Sequence, residues 1–175
     1  ADGSLGSSTA WFFERYNQDT TTTGLPMDII TDGSMEKWGL DADKNHLQLS
    51  VHAIGDKANS YMLNLYEKII KQNPKWDRRF RLEHAQHVRF EDVKRFAELG
   101  VIASVQPYHC IDDGVWAEKR IGAERIRYTY PFKSFLDAGV KMCFGTDWYV
   151  APLNPLLGIY AAVTRRTLDN KNPDG

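Results

Sequence analysis

The sequence predicts an α/β fold, a partial (β/α)8 TIM barrel made of four consecutive strands with their helices. Two observations predict it. Short apolar runs alternate with segments of helical periodicity, and residues that can bind metal recur at intervals close to the length of one barrel unit. A full barrel allots about 31 residues to each of its eight units. His52 and His84 lie 32 positions apart, and His84 and Asp147 lie 63 apart. These intervals favour consecutive barrel units over a doubly wound sheet.

Four apolar runs are typical of strands, and each is followed by a segment with helical periodicity. Asp56 is a candidate N-cap of the first helix, and Gly100 ends the second. The last helix is expected to bury Leu156, Leu157, Tyr160, Ala161 and Val163. The predicted strands span residues 46 to 53, 79 to 85, 101 to 107 and 140 to 147, and the predicted helices span 56 to 74, 89 to 100, 130 to 139 and 151 to 166.

The composition disfavours two classes of partner. With 22 basic and 23 acidic residues, the formal net charge is −1 at pH 7, so no general field attracts nucleic acid or anionic lipid. No apolar stretch approaches the roughly 20 residues that cross a bilayer. Cys110 and Cys143 form neither a disulfide framework nor a CxxC pair, which suits a reducing compartment. We therefore expect a cytoplasmic protein with no nucleic-acid or membrane partner.

The chain is expected to form a single partial domain over residues 1–175. It does not begin with Met, and both of its terminal segments, ADGSLGSSTA and TLDNKNPDG, have loop composition. Four units make half a barrel, and an isolated half leaves two strand edges and one sheet face uncovered. The expected partner is therefore the missing half of the barrel or a second copy of this chain.

Four residues that can do chemistry lie at or just after the carboxyl ends of the predicted strands, where barrel enzymes place their active sites. They are His52, His84, His109 and Asp147. Two imidazoles and a carboxylate suit Zn²⁺ or a related divalent ion, whose open position would hold a water of lowered pKa. Asp147 can also accept a proton as general base. The alternative for His52 and His84 is a hydrogen-bonding role in the core or at a strand end, and the alternative for Asp147 is an N-cap or turn role.

Further residues near these strand ends are expected to contact substrate or to point away from the site. Gln106 and His109, in the segment SVQPYHC, are candidates to contact substrate, and Trp148 can wall a pocket. For the segment 104 to 110, a plain turn is the alternative. Glu83 alternates with His84 along its strand, so we expect its carboxylate to point the other way, toward the helices, where a partner must satisfy it.

Five ordered segments resemble amidohydrolase family 3 of the metal-dependent hydrolase superfamily, the group that includes N-substituted formamide deformylase. The resemblance extends from Ala1 to about Thr167, nearly the whole chain. The segments are ADGSLGSSTA, VHAIGDKAN, RLEHAQHV, ASVQPYH and FGTDWYVAPLNPLLGIYAAVTRR.

The resemblance implies strands 5 to 8 of a (β/α)8 barrel, with residues 1–33 forming a loop region after strand 4. His52 and His84 would be metal ligands from strands 5 and 6, and Asp147 would be the strand-8 aspartate that contacts metal and activates the water. His109 would lie on the substrate side. Family members hydrolyse C–N bonds of amides and related compounds.

Two parts of the family pattern are absent from this sequence. No HxH pair occurs in it, and the metal-bridging lysine of the family would precede Ala1. We therefore expect the C-terminal half-barrel of a longer metal-dependent hydrolase, inactive or weakly active by itself, with Zn²⁺ as the favoured metal. Two alternatives stay open: a non-catalytic half-barrel that self-associates, and a barrel hydrolase of phosphoesters or lactones.

Overall fold

Four parallel strands pair in sequence order in the computed structural model of the chain, which describes residues 1–169 and 171. The sheet order is β1-β2-β3-β4, and each strand has three or four residues, fewer than predicted. The predicted α/β class with a parallel sheet is confirmed. The strands are β1 (Ser50–Ala53), β2 (Arg81–His84), β3 (Ile102–Val105) and β4 (Met142–Phe144).

Helices precede, connect and follow these strands. The helices predicted from periodicity are present as α3, α4, α7 and α8, and four more were not predicted. α5 has only five residues, and the pattern of α6 is interrupted at Gly122, where φ is 84°. The helices are α1 (Asp28–Thr31), α2 (Ser34–Lys44), α3 (Asp56–Gln72), α4 (Phe90–Leu99), α5 (His109–Asp113), α6 (Ala117–Ile126), α7 (Phe132–Asp137) and α8 (Pro155–Thr164).

Two local expectations about the helices change. The segment 1–33, expected as loop, contains the single turn of α1, whose Ile30 is buried. Asp56 is the first residue of α3 and not its cap, because Gly55 occupies the N-cap position. The Asp56 carboxylate instead accepts the Phe13 amide at 3.0 Å, which ties the N-terminal segment to the start of α3.

The main core lies between one face of the sheet and helices α3, α4 and α7. Leu82 and Ala103 are paired on neighbouring strands, face this core and are fully buried. The Tyr66 hydroxyl, inside the same core, donates to the Arg81 carbonyl at 2.8 Å, so its polar end is satisfied. The largest side chains of this core are Tyr66, Phe80, Phe96, Phe135, Met62, Leu63 and Ile69.

The opposite face of the sheet is polar. It carries Glu83, which was predicted to point toward the helices, so that prediction is wrong. The carboxylate does not point to the helices: Oε1 accepts from Ser50 Oγ at 2.5 Å, and Glu83 lies beside His52 in the parallel register. Alternation along β2 fails at His84, whose φ is 72°. This left-handed backbone returns the His84 ring to the face that already carries His52 and Glu83.

The predicted burial of α8 is largely wrong. Among its expected core residues only Ala161 is fully buried, while Leu156 is 68% exposed and Val163 is 78% exposed. The described residues leave most of this apolar face exposed. Separately, the described part of the chain has no helix with both the length and the apolarity that a bilayer span requires.

Acid should destabilise the fold through His87. Burial lowers the pKa of this imidazole to about 3, and its Nδ1 donates to Thr129 Oγ1 at 2.9 Å. Because the pKa in the fold lies below the unfolded value of 6.5, the full stability is present above that value and is lost as the pH falls toward 3. Between about pH 7.5 and about pH 5, the His87 contribution should fall by about 2 kcal/mol.

Denaturant unfolding at both pH values checks this, with His87→Gln as the test variant and His46→Gln as its control. His46 is exposed. The wild-type chain and His46→Gln should lose the same amount of stability between the two pH values, and His87→Gln should lose about 2 kcal/mol less, because its remaining loss comes from groups such as His84. Equal slopes in all three proteins would contradict the assignment.

Candidate metal centre

The carboxyl ends of β2, β3 and β4 bring three side chains together. His84 ends β2, His109 begins the short helix after β3, and Asp147 follows β4. Each offers one ligand atom, and these atoms lie within 4.8 Å of one another. His109 Nε2 lies 3.0 Å from Asp147 Oδ2. The group therefore has the size of a coordination site for one divalent ion.

His84 has the properties of a free metal ligand. Its Nδ1 is buried without a hydrogen-bond partner, which is an uncommon state for a buried polar atom. Burial, and then the neighbouring His52, lower the pKa of His84 to about 4. The imidazole is therefore neutral near pH 7, which is the form that coordinates metal.

His52 lies beside this group but is not one of its three members. Its ring centroid is 4.5 Å from that of His84, in an edge-to-face arrangement. His52 Nε2 lies 3.0 Å from the Gly3 carbonyl oxygen, so this nitrogen carries the hydrogen and donates. The lone pair is then on Nδ1. A hydrogen bond of this kind to a carbonyl is the usual way in which a protein orients a ligating histidine.

His109 and Asp147 form the polar pair of the site. A carboxylate only accepts hydrogen bonds, so His109 Nε2 donates to Asp147 Oδ2. The His109 side chain is 17% exposed and that of Asp147 is 32% exposed, so both remain open to a small molecule. In this arrangement His109 orients the carboxylate, and its own lone pair is on Nδ1.

Gln106 and Trp148, expected to contact substrate, are not drawn into this group. Gln106 is buried, and its Nε2 approaches Glu83 Oε2 at 3.5 Å. Trp148 is 64% exposed, and its ring packs edge-on against Tyr149. Both still flank the site in the chain, Gln106 at the end of β3 and Trp148 directly after Asp147.

Asp2 has a structural role that the sequence pattern does not reveal. Its buried carboxylate accepts the backbone amides of Trp11, Ile54 and Gly55 at 2.7, 3.0 and 2.8 Å. Burial raises the pKa of this carboxyl group, while the three amides and nearby His52 lower it. No local spacing could predict the contact, because about fifty positions separate Asp2 from Ile54. The bonds fix the Gly3 carbonyl next to His52.

Asp2→Asn should destabilise the chain and loosen this segment. An amide cannot accept all three backbone donors as well as a carboxylate, so the free energy of unfolding should fall by about 3 kcal/mol. Amide hydrogen exchange at Ile54 and Gly55 should accelerate together. The control is Asp41→Asn at an exposed position of α2, where a change within about 0.5 kcal/mol is expected. Unchanged exchange at both amides would refute the anchoring role.

Comparison with known proteins gives a consistent group of relatives. The family model described as "Amidohydrolase family" matches residues 1–174. Protein LONG AFTER FAR-RED 3 of Arabidopsis thaliana is 42% identical over 165 residues, which are 94% of this chain and 28% of that protein. Putative amidohydrolase YtcJ of Bacillus subtilis is 33% identical over 98% of this chain and 32% of its own length. N-substituted formamide deformylase of Arthrobacter pascens is 28% identical over 86% of this chain and 28% of its own length.

A solved structure agrees with these sequence relatives. An uncharacterized metal-dependent hydrolase from Pyrococcus furiosus superposes with a TM-score of 0.79 at 35% identity. The match covers 91% of this chain and 32% of that protein. The chain therefore spans about a third of the length of the relatives it matches.

Proposed function

This chain belongs to the amidohydrolase family, and from that premise we propose that it is part of a metal-dependent hydrolase that cleaves C–N bonds of amide-type, non-peptide substrates. The family and the metal-dependent relatives support a hydrolase in general. The observation that carries the proposal is the convergence of His84, His109 and Asp147 at the carboxyl ends of three neighbouring strands. That end of a barrel is where barrel enzymes place their chemistry.

We propose His52, His84 and Asp147 as the ligands of a divalent metal, with Zn²⁺ favoured. Two imidazoles and one carboxylate are a common donor set for Zn²⁺, and the unpartnered Nδ1 of His84 fits such a role. Because His52 Nε2 donates to the Gly3 carbonyl, Nδ1 keeps the lone pair that a ligand needs. A bound ion would polarise the amide carbonyl of the substrate and lower the pKa of a water molecule.

The remaining steps belong to the side chains of this chain. Asp147 is the proposed general base, and its Oδ2 takes up the proton that the attacking water loses. His109 Nε2, at 3.0 Å, holds this carboxylate in place and faces the substrate side. Gln106 and Trp148 are proposed to line the substrate pocket. The amide substrate class is supported by the name of the formamide deformylase relative.

The proposal extends to the assembly that carries the activity. The chain spans about a third of its relatives' length, and the described residues offer only one cluster of metal-ligand type. We propose that further ligands and the cover for α8 come from the rest of the barrel or from a second copy, and that the 175-residue chain alone turns over slowly or not at all. A cytoplasmic location, suggested by the free cysteines Cys110 and Cys143, belongs to the same proposal.

Zinc titration of the purified chain tests the ligands. His84→Asn and Asp147→Asn should each weaken Zn²⁺ binding at least about tenfold, because each removes a proposed ligand. His46→Asn, at an exposed histidine remote from the strand ends, is the control and should bind as the wild type does.

His52→Asn and His109→Asn distinguish the two possible third ligands. The proposal expects the larger loss of affinity from His52→Asn. A larger loss from His109→Asn would replace His52 by His109 in the ligand set. Affinity that is insensitive to His84→Asn and Asp147→Asn would reject the site.

A substrate panel tests the chemistry. The longer protein that carries this chain should hydrolyse N-substituted amides in preference to phosphoesters and lactones, and Asp147→Asn should lower kcat about a hundredfold or more. The 175-residue chain should show little turnover on the same panel. Preferred cleavage of phosphoesters or lactones would reject the amide assignment, and amide turnover by the short chain that Asp147→Asn abolishes would reject its proposed inactivity.

A further inference from the structure

A second polar cluster, which is buried, is formed by residues that follow His84 and His109 closely in the chain, and none of its members is a proposed ligand. Asp113, on α5, accepts at Oδ2 from Gln86 Nε2 and from the Tyr130 hydroxyl, each at 2.6 Å. All three residues are at most 9% exposed. We call Gln86, Asp113 and Tyr130 the clamp.

The hydrogen bonds of the clamp are fully assigned by donor chemistry. The Gln86 amide has two hydrogens: one goes to Asp113, and the other goes to His87 Nε2 at 3.2 Å. His87 Nδ1 then donates to Thr129 Oγ1. A network with each donor satisfied has one preferred geometry, so it can hold its elements in a fixed relation.

The clamp joins the two segments that carry His84 and His109. Gln86 is the second residue after His84, and Asp113 is four residues after His109, one turn along the same short helix. A bond between Gln86 and Asp113 therefore sets how far α5 stands from the end of β2. Asp113 is not one of the three residues whose ligand atoms converge, so it acts through the segments that carry His84 and His109.

The third member fixes the clamp to the rest of the fold. The Tyr130 amide donates to the Gln86 carbonyl at 2.7 Å, and the Arg165 guanidinium at the end of α8 donates to the Tyr130 carbonyl at 2.7 Å. The His87 amide donates to the Ile54 carbonyl at 3.0 Å, just beyond β1. One buried hydrogen-bond network thus connects the ends of β1, β2 and α8 to α5.

We propose that Asp113 is a positioning residue, which through Gln86 and Tyr130 holds α5 so that His109 meets Asp147 beside His84. This inference rests on the proposed function only where it takes the bound group to be a divalent metal; the positioning of His109 does not depend on that assignment. The His109 to Asp147 hydrogen bond joins two side chains of this chain, so it can be followed in protein prepared without metal.

The test uses two clamp variants of the 175-residue chain, Asp113→Asn and the milder Tyr130→Phe. The first readout is the ring ¹⁵N resonances of His109 in metal-free protein, which report its hydrogen bond to Asp147. The second readout is the Zn²⁺ dissociation constant. Both variants should move the His109 resonances, and Asp113→Asn should raise the dissociation constant about tenfold.

Two controls separate positioning from loss of stability. Asp43→Asn removes another buried carboxylate, which Arg78 binds at 2.8 and 3.1 Å before β2 begins, so it should destabilise the fold without moving His109. Asp112→Asn changes the exposed neighbour of Asp113 on α5 and should leave both readouts unchanged.

The outcomes are distinguishable. His109 resonances that stay at their wild-type positions in both clamp variants would overturn the proposal, as would an equal shift in Asp43→Asn. If the wild-type chain binds no Zn²⁺ but the clamp variants still move His109, the metal proposal fails and the positioning role stands.

Discussion

The left-handed backbone at His84 is the constraint on which the candidate site depends. A regular strand would send His84 to the helix side of the sheet, because neighbouring side chains alternate. At φ 72°, followed by φ 43° at Ala85, the chain instead turns the imidazole back beside His52. Such conformations are costly for residues other than glycine and persist where the surroundings enforce them. Here the buried bonds of Gln86 and His87 immediately follow the turn.

The surroundings of the site are organised by buried carboxylates that accept several hydrogen bonds. Asp2 binds three backbone amides next to His52, and Asp113 binds Gln86 and Tyr130 from the helix that begins at His109. Each is tied to a loop at the carboxyl end of the sheet. A buried carboxylate is costly unless its oxygens are satisfied, so these bonds strongly restrict where the loops can lie. The same polar groups that stabilise the loops therefore also define the positions of the histidines.

Periodicity predicted the parallel sheet and helices α3, α4, α7 and α8, since these elements repeat a recognisable local pattern. The spacing of His52, His84 and Asp147 also predicted that chemistry gathers at one end of the sheet, and the structure brings His84 and Asp147 together there with His109. The predicted orientation of Glu83 was wrong because the alternation of side chains fails at His84, whose backbone is left-handed. The sequence RLEHA does not reveal this conformation. Burial of α8 was overestimated because an apolar stripe does not specify what covers it. The roles of Asp2 and Asp113 depend on contacts between distant segments and had no local signal.

The central claim is that His84 and Asp147 bind one divalent ion at the carboxyl ends of the strands. Anomalous diffraction at the zinc absorption edge, from crystals grown with Zn²⁺, tests it most directly. The account predicts a single strong peak about 2.0 to 2.2 Å from a His84 ring nitrogen and an Asp147 carboxylate oxygen, with His52 contributing a third ligand. A peak at another acidic cluster, or none near His84 at full zinc occupancy elsewhere, would contradict it.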